Sequence, residues 1–216
     1  MTVHHTATGR FALALLAGLM LLGTVGTAAA QDSQTSDAYQ KSYELEAAGK
    51  YREALDALQR AGGEERSEYI YALRKGWLLY NSGEYANAID AYEKAATRQP
   101  KAVEPLAGMM LPQMALRRWK DAVDTAQKGL DVDPKNYLIN SRMAYSLYNL
   151  GRYSEAESRY RRVLELYPSD ADMRSGLAWS LLKQGEADAA RRQFQRVLEI
   201  APKSESAKEG LRQTGQ

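Results

Sequence analysis

The hexamer Gly49-Lys50-Tyr51-Arg52-Glu53-Ala54 returns 34 residues later as Gly83-Glu84-Tyr85-Ala86-Asn87-Ala88. It returns again as Gly151-Arg152-Tyr153-Ser154-Glu155-Ala156, and a fifth copy is Gly185-Glu186-Ala187-Asp188-Ala189-Ala190. The copy between them is Arg117-Arg118-Trp119-Lys120-Asp121-Ala122, in register but without the glycine. The closing alanine never changes: Ala54, Ala88, Ala122, Ala156 and Ala190. Twelve residues beyond the last four alanines stand Pro100, Pro134, Pro168 and Pro202, where the first copy has Arg66. A unit of this length cannot bury its own apolar face, so the copies must stack on one another.

Each unit reads as two helices. The glycine ends the first helix. The hexamer opens the second, whose apolar residues recur at helical spacing, as in Tyr153, Ala156, Tyr160, Val163 and Leu164. The proline stops that helix and starts the next unit. The invariant small alanine suits close approach between helices, and no alternating strand pattern occurs.

These residues resemble the tetratricopeptide repeat family, which has this unit length and this pattern of small, aromatic, alanine and proline positions. Units two and four carry the resemblance best, through Gly76, Tyr85, Ala88, Tyr92, Ala95 and Pro100, and through Ala144, Tyr153, Ala156, Tyr160 and Pro168. The family's early tryptophan is replaced by Ala38, Ala72, Leu106, Asn140 and Arg174. The resemblance implies an all-α fold, a right-handed α-solenoid of five helix-turn-helix repeats. The expected layout is a signal peptide at 1–30, a short segment at 31–34, and an array at 35–204. The array divides into 35–68, 69–102, 103–136, 137–170 and 171–204, followed by a capping helix at 205–216. Ala207 and Leu211 would cover the last unit, with Glu205, Lys208, Glu209 and Arg212 facing water. Unit three departs most. Pro112 inside its first helix should kink it, and Met110, where units two and four have Gly76 and Ala144, should force the helices apart.

The resemblance also implies that one face of the first helices lines a groove for peptides. On that face lie the residues nine, six, three and two before each hexamer, within about 120° of one another. Units two and four then share a quartet: Arg74, Trp77, Tyr80, Asn81 and Arg142, Tyr145, Tyr148, Asn149. Tyr39 and Tyr43 in unit one and Trp179 in unit five fall on the same face. Rings supply contact area at small entropic cost, and Arg and Asn can satisfy a partner's backbone or carboxylate. The competing reading is that such rings pack against neighbouring helices. Some family members clamp chaperone C-termini with Lys, Arg and Asn. The aromatic residues and Leu111 six before the hexamers disfavour that clamp and a cytosolic chaperone role.

Residues 1–30 have the three-part form of a secretory signal. A polar start with Arg10 precedes the apolar Phe11–Leu22 and an exit at Ala28–Ala30. The alternative is a membrane anchor over residues 11–30. The chain has no cysteine, and its two histidines, His4 and His5, lie in that segment. Without them, thiolate chemistry, histidine acid–base catalysis and the usual zinc sites are excluded, and no metal or cofactor is expected. The formal charge of +2 falls by one with Arg10, which leaves no footprint for nucleic acid. The expected protein is a non-enzymatic scaffold, periplasmic or secreted, that binds a peptide or protein partner in an envelope or secretion assembly. The alternative is contact with polysaccharide or peptidoglycan through the rings. A membrane is a partner only if the segment is retained.

Overall fold

The computed structural model describes residues 33–61 and 68–215. The signal segment, on which the export reading rests, lies outside the described residues. Those residues form eleven helices and no strand. Helix α1 spans 33–47, followed by α2 Tyr51–Gln59, α3 Glu68–Asn81, α4 Tyr85–Arg98, α5 Glu104–Ala115 and α6 Trp119–Val132. Then come α7 Tyr137–Asn149, α8 Tyr153–Leu166, α9 Ala171–Lys183, α10 Ala187–Ile200 and α11 Glu205–Thr214. The chain divides into two compact units, Met1–Glu64 and Glu65–Gln216.

The first unit holds α1 and α2. Ala38, Ser42, Ala54, Leu55 and Leu58 are buried, and the Thr35 hydroxyl donates to the Ala61 carbonyl at 3.2 Å. The second unit holds four helix pairs and α11. Each helix packs on its chain neighbours, and each first helix also touches the next: α3 with α5, α5 with α7, α7 with α9, and α9 with α11. The first helices therefore form one continuous row. This is a helical solenoid of stacked pairs, and the five repeated alanines are all fully buried.

The glycine stops act through the backbone. Gly49, Gly83, Gly151 and Gly185 all have positive φ, from 73° to 84°. The next residue's N–H then reaches back to the helix, as in Glu84 to the Leu79 carbonyl at 2.8 Å and Arg152 to that of Leu147 at 3.0 Å. Unit three makes the same turn without glycine: Arg117 takes φ 56°, and Arg118 N–H donates to the Gln113 carbonyl at 2.8 Å. A left-handed conformation costs a side-chain-bearing residue about 1–2 kcal/mol. Arg117→Gly is therefore expected to raise stability, by about 0.5–1 kcal/mol after the added freedom of the unfolded chain is counted. The urea midpoint measures it, and an unchanged or lower midpoint would contradict the strain.

Glycines in the first helices have a different role. A Cβ on Gly76 would lie 2.9 Å from the Tyr92 ring, and one on Gly108 would lie 2.7 Å from Tyr92 Cζ. The ring thus wedges between α3 and α5. Tyr160 uses Gly176 in the same way, and Phe194 uses Gly210. Gly108, Gly176 and Gly210 each follow their ring by sixteen residues, and Gly76 precedes Tyr92 by the same number. Unit three has Ala126 at the ring position, and large residues, Met110 and Arg142, flank it in the adjoining first helices. Met110 is fully buried. It belongs to the same core cluster as the small Ala126. Helix α5 continues through Pro112 to Ala115.

Candidate binding groove

A groove of about 520 Å³ opens between α7, α9 and α11, with Tyr160 of α8 in its lining. Tyr145 and Tyr148 come from α7, Met173 and Trp179 from α9, and Gln213 from α11. Tyr160 belongs to a second helix and enters because Gly176 has no side chain to block it. Burial and loss of hydration push its phenol well above the usual tyrosine range.

Every ring that a first helix supplies to this groove is braced by another aromatic side chain. Tyr145 meets Trp119 edge-on at 5.8 Å, Tyr148 meets Tyr153 at 5.3 Å, and Trp179 meets Phe194 at 5.1 Å. Trp179 Nε1 also donates to Ser206 Oγ at 2.9 Å, which ties α9 to α11. Tyr145 still leaves 47% of its surface in solvent. Asp172 and Lys183 add one charge of each sign to the rim.

The residues singled out in the sequence do not all meet here. Tyr145, Tyr148 and Trp179 do. Asn149 stands at the end of α7 and donates to the Tyr145 carbonyl at 2.8 Å. In unit two, Trp77 is exposed and approaches Tyr80 at 6.1 Å, Tyr80 approaches Tyr85 at 5.8 Å, and Asn81 donates to the Trp77 carbonyl at 2.8 Å. In the first compact unit, Tyr43 is exposed and Tyr39 is half-buried.

Arg74 and Arg142, candidate contacts in the sequence, are held among the helices. Arg74 is only 7% exposed. Arg142 is half-buried, and its Nη1 donates to the Ala107 carbonyl, joining α7 to α5. Beyond that bond, Arg142 lies near the Tyr92 and Tyr80 phenols.

The sequence reading also missed Tyr160, Met173, Gly176 and Gln213. Helix α11 does more than cap the array: it supplies groove lining and the hydroxyl that accepts from Trp179. The available signal was the sixteen-residue spacing from ring to glycine.

Two further phenols tie successive first helices. Tyr137 donates to Asp170 Oδ2 at 2.7 Å, and Tyr69 donates to Glu104 Oε2 at 2.8 Å. The bond to Asp170, then burial, pushes Tyr137 up to about 12. Burial, then the bond to Glu104, pushes Tyr69 up to about 12. Because the folded pKa lies above the unfolded value of about 10, each contribution is fully present below pH about 10 and is lost as pH rises through about 12. In a tyrosinate absorbance titration, Tyr69→Phe and Tyr137→Phe should each remove a late-titrating component. Loss of an ordinary component instead would contradict the hydrogen bonds.

Stacked helix pairs in one 34-residue register, with braced rings along the first helices, define a helical-repeat protein. The chain belongs to the tetratricopeptide repeat family, whose model matches residues 39–103 and 141–205. No curated protein matches the sequence. Among solved structures, MamA residues 41 to the end, from Desulfovibrio magneticus RS-1, is similar with a TM-score of 0.73 at 14% identity, over 80% of this chain and 97% of that one. YrrB, described as a tetratricopeptide repeat protein with an unusual peptide-binding site, is similar with a TM-score of 0.69 at 18% identity, over 81% and 90%. A thermophilic repeat protein of Thermus thermophilus has a TM-score of 0.61 at 20% identity, over 83% and 98%. At these identities the likeness is one of fold.

Proposed function

We propose that this chain is a non-enzymatic scaffold that holds an extended peptide or a helix of a protein partner in the groove between α7, α9 and α11. The observation that carries this reading is the bracing of Tyr145, Tyr148 and Trp179. Rings fixed before the ligand arrives lose little freedom on binding, so their contact area converts efficiently into affinity. The peptide site described for YrrB supports the same use of the fold. We place the protein outside the cytoplasm, in an envelope or secretion assembly, from the signal-like residues 1–30. An intact mass short of those residues tests cleavage near Ala30.

The groove is tested by a photo-crosslinking side chain at Tyr145, followed by identification of what is captured in cells. A defined protein partner is expected. Tyr145→Ala should then weaken that partner by about 30-fold, the effect of losing a binding hot spot worth about 2 kcal/mol. Its thermal midpoint should hardly move, because the ring is half exposed. The rings and the Asp172 and Lys183 rim could also stack on and hydrogen-bond to a sugar. Capture of glycan with no protein would replace the peptide reading with the polysaccharide one.

A further inference from the structure

The lining of the groove between α7, α9 and α11 includes two charged residues, Asp172 and Lys183. Both stand on α9, eleven residues apart. That separation is three turns plus about 20°, so the two charges share one face and lie about 16 Å apart along the axis. Ser175, Gly176 and Trp179 fall between them in the same lining. One wall of the groove is therefore negative at one end, aromatic toward the middle and positive at the other.

Asp172 and Lys183 are both exposed, and among the described residues neither forms an ion pair or a side-chain hydrogen bond. Charges on the neighbouring helices are instead matched three residues away, as in Arg196–Glu199 of α10 and Lys208–Glu205 of α11. Asp170, two residues before Asp172, is occupied by the Tyr137 hydroxyl and the Met173 backbone N–H. Asp172 is thus the free acid of the rim.

The signs suit the dipole of α9, with the acid at its N-terminus and the base at its C-terminus. The dipole alone does not account for them, because every first helix has one. At the same register positions α7 has Leu138 and Asn149, α3 has Ile70 and Asn81, and α5 has Glu104 and Ala115. Asn81 and Asn149 bond back to carbonyls of their own helices, whereas Lys183 takes that place with its charge in solvent. Of these four helices, α9 alone has opposite charges at both ends of the face.

The size of the groove selects the backbone form of its occupant. About 520 Å³ spread over about 16 Å leaves a mean cross-section of about 30 Å². A helix about 10 Å across needs about 80 Å². An extended chain advances about 3.3 Å per residue, so 16 Å corresponds to about five residues.

Resting on the peptide-binding reading above, we propose that the groove takes an extended internal segment of a protein partner, with a basic and an acidic side chain five positions apart and apolar residues between them. The basic group faces Asp172, the acidic group faces Lys183, and the apolar residues lie on Tyr145, Tyr148 and Trp179. The charges fix which way the segment lies, and the rings supply its contact area.

The test titrates the purified protein by calorimetry with four hexapeptides, acetylated and amidated, that share the centre Leu-Tyr-Ala-Leu. Their flanking pairs are Lys with Glu, Gln with Gln, Lys with Lys, and Glu with Glu. At low salt the Lys/Glu peptide should bind about fivefold tighter than the Gln/Gln peptide, and the advantage should vanish at high salt. Lys183→Glu should transfer the preference to the Lys/Lys peptide, and Asp172→Lys to the Glu/Glu peptide. Both residues are exposed, so neither variant should move the thermal midpoint appreciably. Tyr145→Ala should weaken all four peptides alike. Equal binding of the four, or preferences unchanged in the charge variants, would overturn the polarity and leave the peptide groove standing if Tyr145→Ala still weakens binding. Binding of none of the four, or binding indifferent to Tyr145→Ala, would overturn the groove reading and this proposal with it.

Discussion

Truncating Phe194 to alanine is expected to remove about 3–5 kcal/mol of stability, the usual range for deleting a buried aromatic ring. Phe194 has no exposed surface. Its ring occupies the space that Gly210 leaves open in α11 and meets Trp179 edge-on in α9. One side chain therefore joins α9, α10 and α11. The other ties of α11 include the buried Ala207, Leu211 packed on the core, the bonds of Ser206 to Trp179 and Ser175, and Arg191 donating to the Thr214 carbonyl. In a stacked array, stability is close to a sum of unit and nearest-neighbour terms, so the loss should stay near its source. Amide hydrogen exchange should show protection falling in α9–α11 while α3–α6 keep theirs. Trp179 emission should shift to the red as its brace disappears. A loss under about 1 kcal/mol, below the range for a filled core position, would mean that the ring is not what holds α11.

The helix pairs were legible because the repeat is a repeated solution to one packing problem. Gly83, Gly151 and Gly185 mark helix ends because only the left-handed turn reconnects the chain there. Ala88, Ala122, Ala156 and Ala190 mark close approach because a larger side chain would not fit at zero exposure. Other devices also follow the 34-residue register but are easily passed over. Asn136, Asp170 and Ser204 each cap a first helix, accepting from Ile139, Met173 and Ala207 backbone N–H at 3.0–3.3 Å. Unit three has Ala102 in that place, Arg117 in the glycine's and Gln113 in the leucine's. It was legible as a deviant unit, but the direction of each deviation depended on neighbours that sequence spacing does not display.

The groove was legible in part for the same reason. A helical wheel correctly puts Tyr145, Tyr148 and Trp179 on one side, because their angular positions belong to their own helices. It gives no sign that Arg142 is held by the Ala107 carbonyl of α5. It fails for Tyr160 because a second-helix residue reaches the groove only where Gly176 lets it pass. Information of that kind lies in pairs of positions. The pairs Tyr92 with Gly108, Tyr160 with Gly176, Phe194 with Gly210 and Ala126 with Arg142 all have the same sixteen-residue separation.

That pairing predicts a swap. Tyr160→Ala alone should cost about 3–5 kcal/mol, since the ring is almost fully buried. Gly176→Arg alone should also destabilise, because a Cβ there would stand 2.8 Å from the Tyr160 hydroxyl and still closer to its ring carbons. Overpacking of this kind costs about 1–3 kcal/mol, set against roughly 0.5–1 kcal/mol gained by replacing glycine inside a helix. The double variant reproduces the arrangement that unit three already uses, with alanine on the second helix and arginine on the next first helix. Its guanidinium would meet the Ser141 carbonyl, 34 residues beyond the Ala107 carbonyl that Arg142 engages. Urea unfolding of the four proteins of the cycle should give a favourable coupling of about 1–3 kcal/mol between the two changes. Additivity within about 0.5 kcal/mol would mean that ring and glycine are independent and that the sixteen-residue pairing has no energetic content. Strong coupling would mean that the ring and the residue sixteen positions on share one packing site.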